Sequence, residues 1–142
     1  MSRIGAAREQ SLGLPPRPAE HAPGRRVLIV EDQPWVAGIL TALVQAAGCR
    51  VVGPCRDTSD AASRVTRCKV DLALIDAGLE TADGRAFAAE LADAGIPSIV
   101  MIDFGSNQTA LHPQIEIIAK PFGEHALRSA IGRALSPSAA GA

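Results

Sequence analysis

The chain has 142 residues, a formal net charge of −1, and 47% apolar against 20% charged side chains. That length suits one domain, and the balance excludes a disordered or fibrous chain. The near-neutral charge excludes a protein dominated by a basic nucleic-acid or membrane surface, and 3% aromatic side chains leave no stacking platform for single-stranded nucleic acid.

Residues 1–26 carry five arginines and two glutamates, a net of +3, together with Pro15, Pro16, Pro18 and Pro23. Such a segment buries too little apolar surface to offset its ordering entropy, so it reads as a disordered arm. It has no apolar core of the kind a secretory signal needs, and no stretch approaches the ~20 apolar residues that span a bilayer. Cys49, Cys55 and Cys68 form an odd set without a CxxC pair, which fits a reducing compartment. A cytoplasmic location is the expectation.

Residues 27–135 carry nine basic and thirteen acidic side chains, a net of −4, and alternate between strand and helix signals. Val27-Leu28-Ile29-Val30 is an apolar, β-branched run typical of a strand buried on both faces. Pro34 suits the first position of a helix that carries Val36, Ile39, Leu40, Leu43 and Val44 and stops at Gly48. Val51-Val52 gives a short second strand closed by Gly53-Pro54. Thr58 and Asp60 offer caps for a helix with Ala61, Ala62 and Val65. Val70 to Ile75 forms a third strand, and Gly84 to Ala94 forms a helix around Phe87 and Leu91. Ile99 to Ile102 and Ile115 to Ile118 are the fourth and fifth strands. Gly105, Ser106, Asn107 and Pro113 interrupt the segment between them, so any fourth helix there is short. A last helix carries Ala126, Leu127, Ala130, Ile131 and Leu135, and residues 136–142 read as a second disordered segment, with no output domain expected.

Alternating apolar strands and helices imply an α/β fold with a doubly wound parallel sheet. Ligands then gather at the carboxyl ends of the strands, near the point where strand order reverses. Strand one ends in Glu31-Asp32, strand three in Asp76, and strand five in Lys120-Pro121-Phe122. With the order 2-1-3-4-5, these carboxylates converge, and they need a cation of the hard, oxygen-loving kind such as Mg²⁺. A carboxylate held there is also a competent nucleophile towards phosphorus, and Lys120 supplies a point charge to the phosphoryl oxygens.

From Val27 to about Leu135 these residues resemble a response-regulator receiver domain, the CheY-like module of two-component signalling, with a flavodoxin-like fold. The resemblance rests on Glu31-Asp32, on Asp76 followed by Ala77-Gly78-Leu79 and Asp83-Gly84, and on Lys120-Pro121-Phe122. It implies that Asp76 accepts a phosphoryl group and that Asp32 and Asp76 bind Mg²⁺ directly. Glu31 would bind it through water and Gly78 through its carbonyl. Lys120 would pair with the phosphoryl group, and the Lys120–Pro121 bond would be cis.

The chain also departs from the family pattern. Ile102 stands where a Thr or Ser hydroxyl usually contacts the phosphoryl group, and Asp103 follows it. Ile117 replaces the usual aromatic switch, and Glu80 replaces a usual Pro. Ile102-Asp103-Phe104-Gly105 resembles an eroded FATGYG motif, which marks a subfamily of single-domain receivers with a reduced fourth helix.

The resulting expectation is a stand-alone receiver that takes a phosphoryl group from a histidine kinase or phosphotransfer protein. It would catalyse its own phosphorylation without being a metabolic enzyme, and signal by protein–protein contact as a monomer or weak homodimer. No nucleic-acid partner is expected. The alternative is a pseudo-receiver that binds its partner regardless of phosphorylation. A related α/β hydrolase is disfavoured, because Gly78 occupies the place of the second acid–base carboxylate. Asp103 reads as a loop or cap residue, and Ser106 offers a substitute hydroxyl. Trp35 is expected on the first helix beside the pocket, partly packed. His21, His112 and His125 read as surface residues and the cysteines as buried small hydrophobes.

Overall fold

The central strands of the sheet find their places because both of their faces are apolar. In the computed structural model, which describes residues 24–107 and 112–136, Val27 and Ile29 pack to one side of the sheet, and Leu28 and Val30 pack to the other. This is the two-residue alternation of a strand read on two buried faces. The strands are β1 (Arg26–Val30), β2 (Arg50–Cys55), β3 (Leu72–Asp76), β4 (Ser98–Asp103) and β5 (Ile115–Lys120). All neighbours run parallel, in the order β2-β1-β3-β4-β5. The expected doubly wound, flavodoxin-like α/β architecture is therefore present.

The helices are α1 (Pro34–Ala46), α2 (Thr58–Arg67), α3 (Gly84–Asp93) and α4 (Glu124–Ala134). Leu40 and Val44 of α1 join Leu127, Ala130 and Ile131 of α4 over one face. Ala61 of α2 joins Phe87, Ala88 and Leu91 of α3 over the other. Each fully buried aliphatic side chain contributes about 1.5–3 kcal/mol, so these two layers dominate the stability of the domain. Between β4 and β5 no helix stands among the described residues; residues 108–111, where a shortened fourth helix was expected, lie outside them. Of the segments 1–26 and 136–142, read from sequence as disordered, residues 1–23 and 137–142 lie outside the described residues too. Arg26 instead opens β1, Gly24 donates its N–H to the Gly48 carbonyl, and Ser136 donates its N–H to the Arg133 carbonyl.

Several local expectations are corrected. β2 spans six residues instead of two, because a register shift between Leu28 and Val30 lets the strand continue through Gly53-Pro54 to Cys55. Gly53 has φ of +98°, and a Cβ there would lie 2.7 Å from the Cys55 nitrogen, so the bulge requires glycine. β3 begins at Leu72 and not at Val70, since the Asp71 carboxylate instead accepts the Arg26 N–H. The cap of α2 is Asp57, which accepts the Asp60 N–H at 2.8 Å, and not Thr58 or Asp60. Trp35 does sit on α1 but is 69% exposed, so it contributes little packing. Cys49 and Cys55 are buried, whereas Cys68 is only half-buried.

Candidate functional site

The carboxyl ends of β1, β3, β4 and β5 form one rim, and the chemistry collects there. Glu31 and Asp32 leave the end of β1, and Asp76 is the last residue of β3. One carboxylate oxygen from each of the three lies within 4.8 Å of the others. Glu31 is 2% exposed and Asp76 5%, while Asp32 is half-buried. Fully ionised, each such pair repels by roughly 3 kcal/mol at an effective dielectric near 20.

Lys120, the last residue of β5, reaches across β4 to Asp76, with Nζ 3.0 Å from Oδ1. The same oxygen accepts the Gly78 N–H at 3.1 Å, so two donors fix the plane of the Asp76 carboxylate. Asp32 accepts the Glu80 N–H at 2.9 Å, which ties the β3–α3 loop to the β1 end. Glu31 accepts the Gln33 N–H through Oε2, while its buried Oε1 has no hydrogen-bond partner. A buried, unsatisfied carboxylate oxygen is costly, and here it lies in a cluster with the donor set and spacing of a divalent hard cation.

The electrostatics follow from that crowding. Burial pushes the Glu31 carboxyl up to about 7; the Gln33 N–H and the Lys120 charge act downward, and the neighbouring Asp76 and Asp32 carboxylates act upward. Burial would lower the Lys120 ammonium, but the Asp76 hydrogen bond and charge, with Glu31 and Asp103, outweigh it and hold the group above its ordinary value. One ammonium cannot balance three carboxylates, so a divalent cation is the natural complement.

The loop geometry around Asp76 depends on Gly84. A Cβ at Gly84 would lie 2.1 Å from the Asp76 carbonyl oxygen and 2.9 Å from the Ala77 Cα, so α3 packs backbone to backbone on the end of β3. Asp83 caps that helix, accepting the Arg85 N–H at 3.0 Å.

Beside Asp76 opens a pocket of about 330 Å³ lined by Asp76, Ala77, Gly78, Arg85, Ile102, Asp103 and Ser106. Ile102 is 2% exposed and gives this wall no hydroxyl. Asp103, read from sequence as a loop or cap residue, is instead the last residue of β4, paired in register with Lys120. Its carboxylate lies 4.0 Å from the Lys120 ammonium and lines the pocket. Ser106 lines the pocket as well, whereas Ile117 packs half-buried against the core and does not. Arg85 has no counterpart in the sequence reading; only the tertiary approach of α3 to the end of β4 brings it here. The Lys120–Pro121 peptide is cis, as is Gly53–Pro54.

An acidic triad and a lysine on the strand ends of this sheet define a class, the receiver modules of two-component signalling. The family model for the response regulator receiver domain matches residues 27–132, and the chain belongs to that family. Among curated proteins it is similar to the transcriptional regulatory protein PdtaR of Mycobacterium tuberculosis, 29% identical over 127 residues. That match covers 86% of this chain and 62% of the relative's length, so the chain spans under two thirds of the curated relatives it matches. Among solved structures it is similar to the anti-anti-sigma factor PhyR of Bartonella quintana, with 26% identity and a TM-score of 0.73 over 83% of this chain and 51% of that one. The receiver domain of a modulated diguanylate cyclase from Desulfovibrio desulfuricans is 27% identical, with a TM-score of 0.69 over 79% of this chain and 94% of that one. No helix among the described residues is long and apolar enough to cross a membrane.

Proposed function

We propose that the chain is a cytoplasmic phosphoacceptor switch: Asp76 takes a phosphoryl group, in the presence of Mg²⁺, from a histidine kinase or phosphotransfer protein. The observation that carries this reading is the Lys120 ammonium 3.0 Å from an Asp76 carboxylate that shares a cluster with Glu31 and Asp32. Asp32 and Asp76 would hold the cation directly, with Glu31 through water and the Gly78 carbonyl completing the protein ligands. Bound there, Mg²⁺ supplies positive charge against the phosphoryl oxygens during transfer.

The remaining chemistry belongs to the chain. An Asp76 carboxylate oxygen attacks phosphorus in line, a new P–O bond forms, and the bond to the donor breaks. From an acyl phosphate, the carboxylate leaves with the electron pair; from phosphohistidine, the imidazole leaves and takes a proton from water. Lys120 moves from its partner Asp76 to the transferred oxygens, which keeps its charge compensated through the step.

The output is a protein contact, made by a receiver module that is monomeric or weakly dimeric. The names of its relatives, a transcriptional regulatory protein and an anti-anti-sigma factor, are compatible with control of gene expression through such a contact. The second reading, a pseudo-receiver that binds its partner regardless of phosphorylation, is favoured by Ile102 and Ile117 at the two positions that usually couple the phosphoryl group to the rest of the domain. Incubation with acetyl phosphate and Mg²⁺, followed by intact mass and Trp35 fluorescence, separates the two. The switch predicts a gain of one phosphoryl group that Asp76→Asn abolishes. No gain under conditions that label an ordinary receiver favours the pseudo-receiver.

A further inference from the structure

The pocket beside Asp76 lacks the hydroxyl usual at the end of β4 and carries two charged side chains, Asp103 and Arg85. Ile102 forms its inner wall and offers no hydrogen bond. Asp103 adds a negative charge 4.0 Å from the lysine that a phosphoryl group must engage. Left alone, that carboxylate would repel the incoming group and compete for Lys120. The same pocket contains Arg85, half-buried in the first turn of α3 and lining the cavity with Asp76, Asp103 and Ser106.

We infer that Arg85 contacts the phosphoryl group on Asp76 and takes the part of the absent hydroxyl at the end of β4, an inference that rests on the phosphoacceptor reading. Three observations carry it. First, Arg85 is, with Lys120, one of two cationic side chains that touch Asp76 or the pocket beside it among the described residues. Its charge offsets the one that Asp103 brings. Second, its backbone is anchored, because Asp83 accepts the Arg85 N–H and Gly84 seats the helix directly on the Asp76 carbonyl. The helix turn that carries Arg85 is thereby fixed against the end of β3. Third, the Arg85 guanidinium donates to the Asn107 carbonyl, which holds it over the β4 side of the cavity. A guanidinium has five N–H donors in a planar fork, so it can keep that bond and present others to phosphoryl oxygens. Ser106 lines the same cavity, but it is exposed and neutral, and it does nothing to offset Asp103.

The test compares wild type, Arg85→Gln, Arg85→Lys and Ser106→Ala in full-length protein, reading the acetyl phosphate labelling rate, the affinity for beryllofluoride, and the affinity for Mg²⁺ alone. Arg85→Gln is expected to lower labelling and beryllofluoride affinity by about tenfold to a hundredfold, the range for one lost charge-assisted hydrogen bond. Arg85→Lys is expected to recover part of that loss. Mg²⁺ affinity in Arg85→Gln should stay equal or rise, because a positive charge has been removed near an acidic cluster. Parallel loss of Mg²⁺ and beryllofluoride affinity would mark Arg85 as structural and overturn the inference. Unchanged labelling in Arg85→Gln, or a larger loss in Ser106→Ala, overturns it too. Failure of the wild type itself to take label or beryllofluoride would remove the phosphoacceptor reading, and this assignment with it.

Discussion

The β1–β3 side of the strand-end cleft and its β4–β5 side are built on the same sheet, yet they treat charge differently. On the β1–β3 side, Glu31, Asp32 and Asp76 are concentrated, mostly buried and fastened by the N–H groups of Gln33, Glu80 and Gly78. On the β4–β5 side, Ile102 is sealed in the core, while Asp103 and Ser106 stand exposed at the rim. Buried carboxylates tolerate little change, because each shares its charge with the others. An exposed rim tolerates exchange, because solvent screens each member. On the proposed reading the two sides would divide the work: the β1–β3 side would hold the cation, and the β4–β5 side would meet the phosphoryl group.

Substitutions that strike the shared frame should damage both sides most. In Gly84→Ala the new Cβ meets the Asp76 carbonyl at 2.1 Å, and α3 must lift from β3. We expect a loss of about 3 kcal/mol in urea unfolding, since overpacking against backbone outweighs the gain in helix propensity. Labelling of Asp76 should fail as well.

Lys120→Met breaks the Lys120–Asp76 ion pair that joins the two sides. Labelling by acetyl phosphate should fall about a hundredfold, as for loss of a positioned electrostatic group, while the circular dichroism spectrum remains that of the wild type. Equal rates would show that Lys120 is a bystander.

Glu31→Gln acts on the cation side alone, and calorimetry should record about tenfold weaker Mg²⁺ binding. The same residue sets a pH dependence. Its folded pKa is raised to about 7, so the native state holds this proton more tightly than the unfolded chain does. Without metal, the contribution of Glu31 to stability should therefore be fully present below the ordinary carboxylate range, fall as pH rises through about 7, and level off above it, read as the difference between wild type and Glu31→Gln. Mg²⁺, or the glutamine variant, should flatten that part of the profile. A metal-free wild type whose urea midpoint rises across this window relative to that of Glu31→Gln contradicts the assignment.

Asp103→Asn is the gentlest change, confined to the exposed rim. Removing a charge that competes for Lys120 should speed labelling by about two- to fivefold, with Mg²⁺ affinity little altered. A slower reaction would give Asp103 a positive role.

The parts legible in sequence are those governed by local pattern. β1, β3 and β4 announce themselves as apolar runs because both of their faces are buried, and the acidic triad stands at the ends of two of them. β2 is harder to see. Gly53-Pro54 looks like a turn, yet the chain bulges there and stays in the sheet. Asp103 and Arg85 are hidden for a different reason. Asp103 acquires its role from register, opposite Lys120, and Arg85 from the backbone contact between α3 and β3 at Gly84. Neither relation has a signature in spacing along the chain. Trp35 misleads in the opposite direction, since a large aromatic on an amphipathic helix suggests packing but here faces solvent.

The most direct test of the central claim is to phosphorylate the full-length protein with acetyl phosphate and Mg²⁺, trap the acyl phosphate by reduction, and map the modified residue by peptide mass spectrometry. The account predicts one modified position, Asp76, formed only when Mg²⁺ is present. Modification at another carboxylate, or labelling that persists after chelation of divalent cations, would contradict it.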